Sequence, residues 1–258
     1  MHNIDLVAAF AAAVNEIGTP RFDAALLAAV EHFTPIDFIA GVTYREDEGL
    51  KALNIASRHA LSTARSLTRN YLAHHFSFDP NYKELKRVRE NQKVLVLRHD
   101  PRKLLSRRYE ERFYKSVGIV DKISYIWRQA DTVFYINFYR LGAHGHYGGA
   151  DVQGFETLAP LVAALVARHA SRNRFEAAIN SNAPLAVAEC IVGLLSNQLS
   201  AREREVLSRV LLGMTNAGIA LELGVAPTSV ITFRKRAYQK LGIASQAELF
   251  RLGLRCLS

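Results

Sequence analysis

Thr228, Thr232, Lys235 and Gln239 are the residues of this chain whose types and spacing most directly suggest chemistry. At about 100° per residue they fall on one face of a helix, and Val230, Phe233, Ala237 and Leu241 fall on the other. Short hydroxyls, an amide and an ammonium make a donor–acceptor surface that suits base edges in the major groove of a duplex. Ser229, Arg234, Arg236 and Lys240 flank that surface, where phosphates would lie. A solvated helix face would carry similar residues, so the neighbouring elements decide between the two readings.

Those elements are legible. Ser200 and Glu203 have the spacing of a capping box, which opens a helix through Val206, Leu207, Val210 and Leu211 that stops at Gly213. Thr215 caps a second short helix carrying Ile219, Ala220 and Leu223. Leu223-Gly224-Val225 makes a tight turn, and Pro227 takes the first position of a third helix, where its missing N–H costs nothing. That helix ends at Gly242, and a last one runs from about Ser245 to Leu257. A third helix set after a tight turn has the arrangement of a helix-turn-helix.

The run Leu199-Ser-Ala-Arg-Glu-Arg-Glu-Val-Leu207, with Gly213, Asn216, Ile219-Ala220, Leu223-Gly224-Val225, Ser229-Val230, Lys240-Leu241-Gly242-Ile243 and Ala247-Glu248-Leu249, resembles the LuxR-type DNA-binding domain over 199–250. The resemblance implies a four-helix domain of a bacterial transcription regulator that binds DNA as a dimer, often through its last helix. It also places Ile231, beside Thr232 and Lys235, in the groove. Gly218, Ala226 and Phe233 depart from the family's usual acidic, Ser/Thr and His residues. The first two weaken helix starts by about 1 kcal/mol or less each. Leu249, Phe250, Leu252, Leu254 and Leu257 give the last helix more apolar surface than a small domain needs, which suits pairing with a second copy.

Ahead of this domain, helices are expected over 3–16, 21–33 and 60–76, and strands at Phe38–Tyr44 and Val94–Leu97, with Leu50–Ala56 either the hairpin partner of the first strand or a helix. Ile123–Trp127 and Val133–Tyr139 alternate as a strand pair with apolar or aromatic residues on both faces, so the sheet should be covered on both sides. A Gly/His loop and a helix around Phe155–Ala170 follow. The expected architecture is an α/β sandwich, a central antiparallel sheet with helices on both faces, followed by an all-α four-helix domain. The expected boundaries are 1–175, a connection at 176–193 containing a short helix, and 194–258. Residues 171–184 are polar and turn-rich.

What the front domain reads is open. A phosphorylatable receiver would use Asp47/Glu48 and Asp100, but two helices precede the first strand and regular β/α alternation is absent. An autoinducer-binding pocket and a GAF- or PAS-like sensor both stay as alternatives. Tyr71, His74, Tyr125, Trp127, Tyr135 and Tyr139, with His75 and Phe76 beside them, are pocket candidates, although any of these aromatics could equally be core. His144-Gly145-His146 lacks a spaced carboxylate or Cys partner, so no metal is expected. No nucleophile elbow or phosphate-binding glycine loop marks an enzyme, and no cofactor is expected.

Composition bounds these readings. Across 258 residues, 49% are hydrophobic and 22% charged, which argues against a disordered or fibrous chain. No apolar run reaches a membrane-spanning length and the N-terminus lacks a basic leader, so a cytoplasmic protein is expected. Two distant cysteines fit a reducing compartment. The net charge of +9 is uneven: 199–258 has nine basic against four acidic residues, and 83–128 has fourteen against six. A surplus of this kind draws polyanions, although a basic run such as 83–128 is more often a solvated face. The expected partners are duplex DNA, a small-molecule effector and a second copy of the chain. The alternatives are a front domain that only dimerises or binds protein, or an enzyme-like domain fused to a regulator.

Overall fold

The computed structural model describes residues 2–46, 48–58, 61–90, 92–99, 111–196 and 198–256. Within it the alternating runs of the sequence become the two central strands of a sheet. Strand β1 is Phe38–Arg45, β2 Gly49–Ser57, β3 Leu95–His99, β4 Ile119–Gln129 and β5 Thr132–Leu141. Their order is β2-β1-β5-β4-β3, and every neighbouring pair is antiparallel. β4 and β5 turn over at Ala130-Asp131, with Gln129 opposite Thr132. Ala130 sits at φ +55°, an unfavourable region for a residue with a Cβ, and its N–H donates to Glu90 Oε1 at 3.1 Å.

The chain divides into two compact units, Met1–Ala170 and Ser171–Ser258. In the first, α1 (His2–Asn15), α2 (Phe22–Glu31) and the first part of α5 (Gly149–Asn180) cover one face of the sheet. Ile123, Tyr125, Trp127, Phe134, Ile136 and Phe138 point into that layer and meet Phe10, Phe22, Val30, Phe155, Val162 and Val166. Each such side chain contributes roughly 1.5–3 kcal/mol by burial. Residues one position out of phase face α3 (Leu61–Asn70), the π-helical turn Tyr71–His75 and α4 (Tyr82–Arg87). The period of two therefore builds an α/β sandwich covered on both sides.

Helix α5 starts earlier and ends later than the periodicity suggested. The polar stretch after residue 170 stays helical to Asn180, aided by the Arg172–Glu176 pair at 2.8 Å and by the absence of Gly or Pro there. By length and composition α5 is apolar enough to cross a membrane. Its apolar face, however, is buried in the sheet core through Phe155, Ala159, Val162 and Val166, as in the core helix of a folded domain. Gly154 allows the approach: a Cβ there would lie 1.8 Å from Phe33 Cζ.

The second unit holds α6 (Pro184–Leu195), α7 (Ala201–Leu211), α8 (Asn216–Leu223), α9 (Pro227–Leu241) and α10 (Gln246–Arg255). Val192, Leu199, Val206, Leu207, Val210, Ile219, Val230, Ala237 and Leu249 form its core.

Candidate nucleic-acid interface and front-domain cavity

Local chemistry sets each helix of the second unit. Ser200 Oγ accepts from Glu203 N–H and Glu203 Oε2 accepts from Ser200 N–H, which completes the capping box. Thr215 and Ser245 cap α8 and α10 through the N–H groups of Gly218 and Glu248. Gly224 stops α8 at φ +64°, a left-handed conformation that glycine adopts without strain and that turns the chain into α9. Ala226 occupies the cap position of α9 in extended conformation and has no side-chain cap, as its residue type required.

On α9 the core stripe is Val230 and Ala237, fully buried, with Phe233 and Leu241 packed against it. Tyr238 is also buried, a residue the wheel left unassigned, and the Arg234 guanidinium lies over its ring, 5.1 Å from the centroid. Thr228, Ile231, Thr232, Lys235, Arg236 and Gln239 are exposed, Ile231 to 52%, and Ser229 is half-buried at their margin. Exposed apolar surface of that kind suits a thymine methyl. Lys240 differs from its expected place among the phosphate contacts. Its ammonium donates to Glu203 Oε2 at 2.7 Å and to the Gln198 carbonyl at 3.1 Å, tying the end of α9 to the start of α7. Glu203 was read from the sequence only as a cap, and nothing in linear spacing places it beside residue 240.

The last helix divides the residues expected to pair with a second copy. Leu249 is fully buried in the domain's own core, because one face of α10 must close that core. Phe250 and Leu254 are just over half exposed and Leu252 is half-buried. Leu257 lies outside the described residues. Phe250 and Leu254 line an apolar groove of ≈ 270 Å³ with Ile191, Leu211, Leu212 and Gly253.

In the front unit, the pocket candidates fall on opposite faces of the sheet. Tyr125 and Trp127 belong to the core beneath α5, so they line no cavity with the others: Tyr125 donates to the Phe155 carbonyl, and Trp127 stacks on Phe134 at 4.8 Å. The side chain of His74 lies outside the described residues, as do Asp47 and Asp100. Tyr71 and Tyr139 line a cavity of ≈ 40 Å³ beneath α3, with Phe38, Leu67, Tyr114 and Asn137. That is room for a few waters. Tyr135 sits behind it in a buried polar network. Its hydroxyl donates to Asp79 and accepts from Lys122 Nζ and Asn81 Nδ2, each at 3.0 Å. Tyr71 OH donates to Asp79 Oδ2, and Ser124 Oγ links Asn81 to Asn137 on the cavity wall.

Lys122 and Asp79 stand 3.9 Å apart and both are buried. Burial pulls the Lys122 ammonium below its ordinary pKa, and the Asp79 carboxylate opposes that pull. Burial, then Lys122, pushes His99 down to about 4, so its imidazole is neutral near pH 7. Sequence reasoning missed Asp79, Asn81, Lys122, Ser124 and Asn137. For the three strand residues a signal existed, since Lys122 and Ser124 interrupt one alternating set of β4, and Asn137 interrupts the set of β5 that holds Tyr135 and Tyr139. His144 Nδ1 lies 2.9 Å from Asp37 and His146 Nδ1 3.5 Å from Asp121, contacts that pin the Gly/His loop.

Residues 197–252 match the family described as "Bacterial regulatory proteins, luxR family". This segment is a LuxR-family helix-turn-helix domain. The LuxR-family segment is 53% identical over 49 residues to the probable transcriptional regulatory protein NarL of Mycobacterium tuberculosis, covering 19% of this chain and 23% of that one. The chain thus spans about a quarter of that relative's length. A longer match, 28% identical over 156 residues, covers 58% of this chain and 80% of a putative HTH-type transcriptional regulator of Aeromonas salmonicida. Among solved structures, the VqsR LBD domain of Pseudomonas aeruginosa aligns with a TM-score of 0.48 at 16% identity, covering 63% of this chain and 94% of that one.

Proposed function

We propose that this protein is a cytoplasmic bacterial transcription regulator. Its LuxR-family domain binds duplex DNA through α9, and its front domain holds a small-molecule effector beneath α3. The observation that carries the reading is the LuxR-family domain itself, with Thr228, Thr232, Lys235 and Gln239 exposed on the face of α9 opposite its core. The effector would enter at the Tyr71–Tyr139 cavity, whose polar wall is rooted in the Asp79 network. Residues 176–193 connect the two functions, and a ligand acts by shifting which conformations or assemblies are populated. Phe250 and Leu254 leave apolar surface on α10 for a second copy, so the DNA-bound form is a homodimer.

One observation favours a second reading. The cavity is small and the polar groups behind it satisfy one another, which is also what a ligand-free interaction module would show.

Fluorescence anisotropy on labelled duplexes tests DNA binding: affinity should fall steeply with salt, and absence of binding at low salt would overturn the proposal. Lys235→Ala and Thr232→Ala should erode preference for the operator, and Arg236→Ala should weaken all sequences about equally. Trp127, buried in the sheet core, reports the front domain. A metabolite screen that moves neither its fluorescence nor the melting temperature, with constitutive DNA binding, would favour the interaction module.

A further inference from the structure

The segment Tyr82–Lys93 holds five basic residues against two acidic ones, and the α9 surface does not account for them. On α4, Lys83, Lys86 and Arg87 fall within about 100° of arc, opposite the buried Leu85. After α4 the chain buries Val88, and Arg89 and Lys93 stand exposed beyond it. Most charged side chains elsewhere on this unit's sheet are paired: Arg45 with Glu48 and Asp131, Lys51 with Glu48, Arg98 with Asp121, Arg140 with Asp151. Among the described residues, no ion pair involves Lys83, Arg87, Arg89 or Lys93. Lys86 is held by the Tyr44 hydroxyl at 3.0 Å. The two acids do not neutralise the face: Glu84 lies half-buried to one side of it, and Glu90 accepts the Ala130 N–H.

We propose that this cationic face of the front domain is a second, sequence-independent contact for the phosphate backbone of duplex DNA. The inference rests on the reading of the chain as a DNA-binding regulator. Unpaired Lys and Arg on one face of α4 and about the Arg89–Gln92 turn that follows it suit a regular polyanion, which they bind by releasing its counterions. A bilayer would need apolar side chains among the cations, and a protein interface an apolar centre. Between residues 82 and 93 the apolar Leu85 and Val88 point inward. Among the described residues, Phe78, 62% exposed in the preceding turn, is a neighbouring side chain that would suit a membrane, so the test includes vesicles.

The experiment measures binding of the full chain to a 30-base-pair duplex of arbitrary sequence across a salt series. The variant K83Q/R87Q/R89Q/K93Q should reduce the slope of log affinity against log salt by up to about 3.6, at about 0.9 per phosphate. The charge-preserving K83R/R87K/R89K/K93R should keep the slope. R65Q/R69Q, which removes two exposed cations from α3, should leave it unchanged. An unchanged slope in the neutralised variant overturns the inference, and so does an equal loss in the charge-preserving one. A loss per residue as large in R65Q/R69Q would indicate a long-range field rather than a contact, and would also overturn it. Loss of binding to phosphatidylserine vesicles with an unaltered DNA slope would reassign the face to lipid. If K235Q/R236Q weakens DNA binding and the neutralised front-domain variant does not, the regulator reading stands and this inference falls. If the wild-type chain binds no duplex, the regulator reading itself has failed.

Discussion

Replacing Lys240 by Met separates two roles open to one cation, a phosphate contact and an internal ion pair. Lys240 Nζ lies 2.7 Å from Glu203 Oε2; the Glu203 side chain is 4% exposed and the Lys240 side chain 37%. Because the lysine end is more than a third exposed, solvent screens the pair. It belongs nearer the 0.2–1 kcal/mol of a surface pair than the 3–5 kcal/mol of a broken buried one. Glu203 would be left among protein atoms with the Ser200 N–H as its remaining partner, so a loss of about 1.5 kcal/mol is expected. Urea unfolding followed by circular dichroism should show it. Glu203→Gln should cost a similar amount, and the double variant little more than either, a coupling of about 1 kcal/mol. DNA binding should keep its salt slope, whereas loss of a phosphate contact would reduce it by about 0.9.

The same pair gives a pH test. Burial pulls the Glu203 carboxyl upward, but Lys240 and Ser200 outweigh it and hold the group below its ordinary 4.5. Its contribution is therefore fully present above pH 4.5 and is lost as pH falls through the lower folded-state value. The stability gap between wild type and Lys240→Met should narrow in that window. A salt slope reduced by about one, together with additive stability losses, would refute the argument and return Lys240 to the phosphates.

Ala226→Ser should stabilise the C-terminal unit by about 0.5–1 kcal/mol and so raise its unfolding midpoint, because the α9 cap position is extended and lacks a side-chain acceptor; no rise would mean that the free N–H groups are already met. Gly154→Ala should destabilise the front unit by roughly 1–3 kcal/mol through the clash with Phe33. Trp127 fluorescence on denaturation would show it, and an unchanged midpoint would place Phe33 away from α5.

Short-range physics made the second unit readable from its residues. Caps at Ser200, Thr215 and Ser245, left-handed stops at Gly224 and Gly242, and Pro227 at a helix start are each decided within four residues of chain. The exposed face of α9 followed from the 3.6-residue period alone. In the front unit, period-two alternation likewise determined that β4 and β5 would be covered on both faces. Tertiary structure decided which partners meet across the sequence. The alternation could not say which face would receive α5, and so it grouped Tyr125 and Trp127 with Tyr135 and Tyr139, which the sheet separates. It also left Asp79, from a turn, unrelated to Lys122, 43 positions on, although the fold buries both and sets them 3.9 Å apart. Lys240 was free by its place on the helix and is bound because folding brings the α7 cap to it. A strand or helix repeats its own geometry and so announces its faces. Which face meets which depends on the packing of elements far apart in the chain, and that packing minimises exposed apolar area and unpaired buried charge over the whole unit at once.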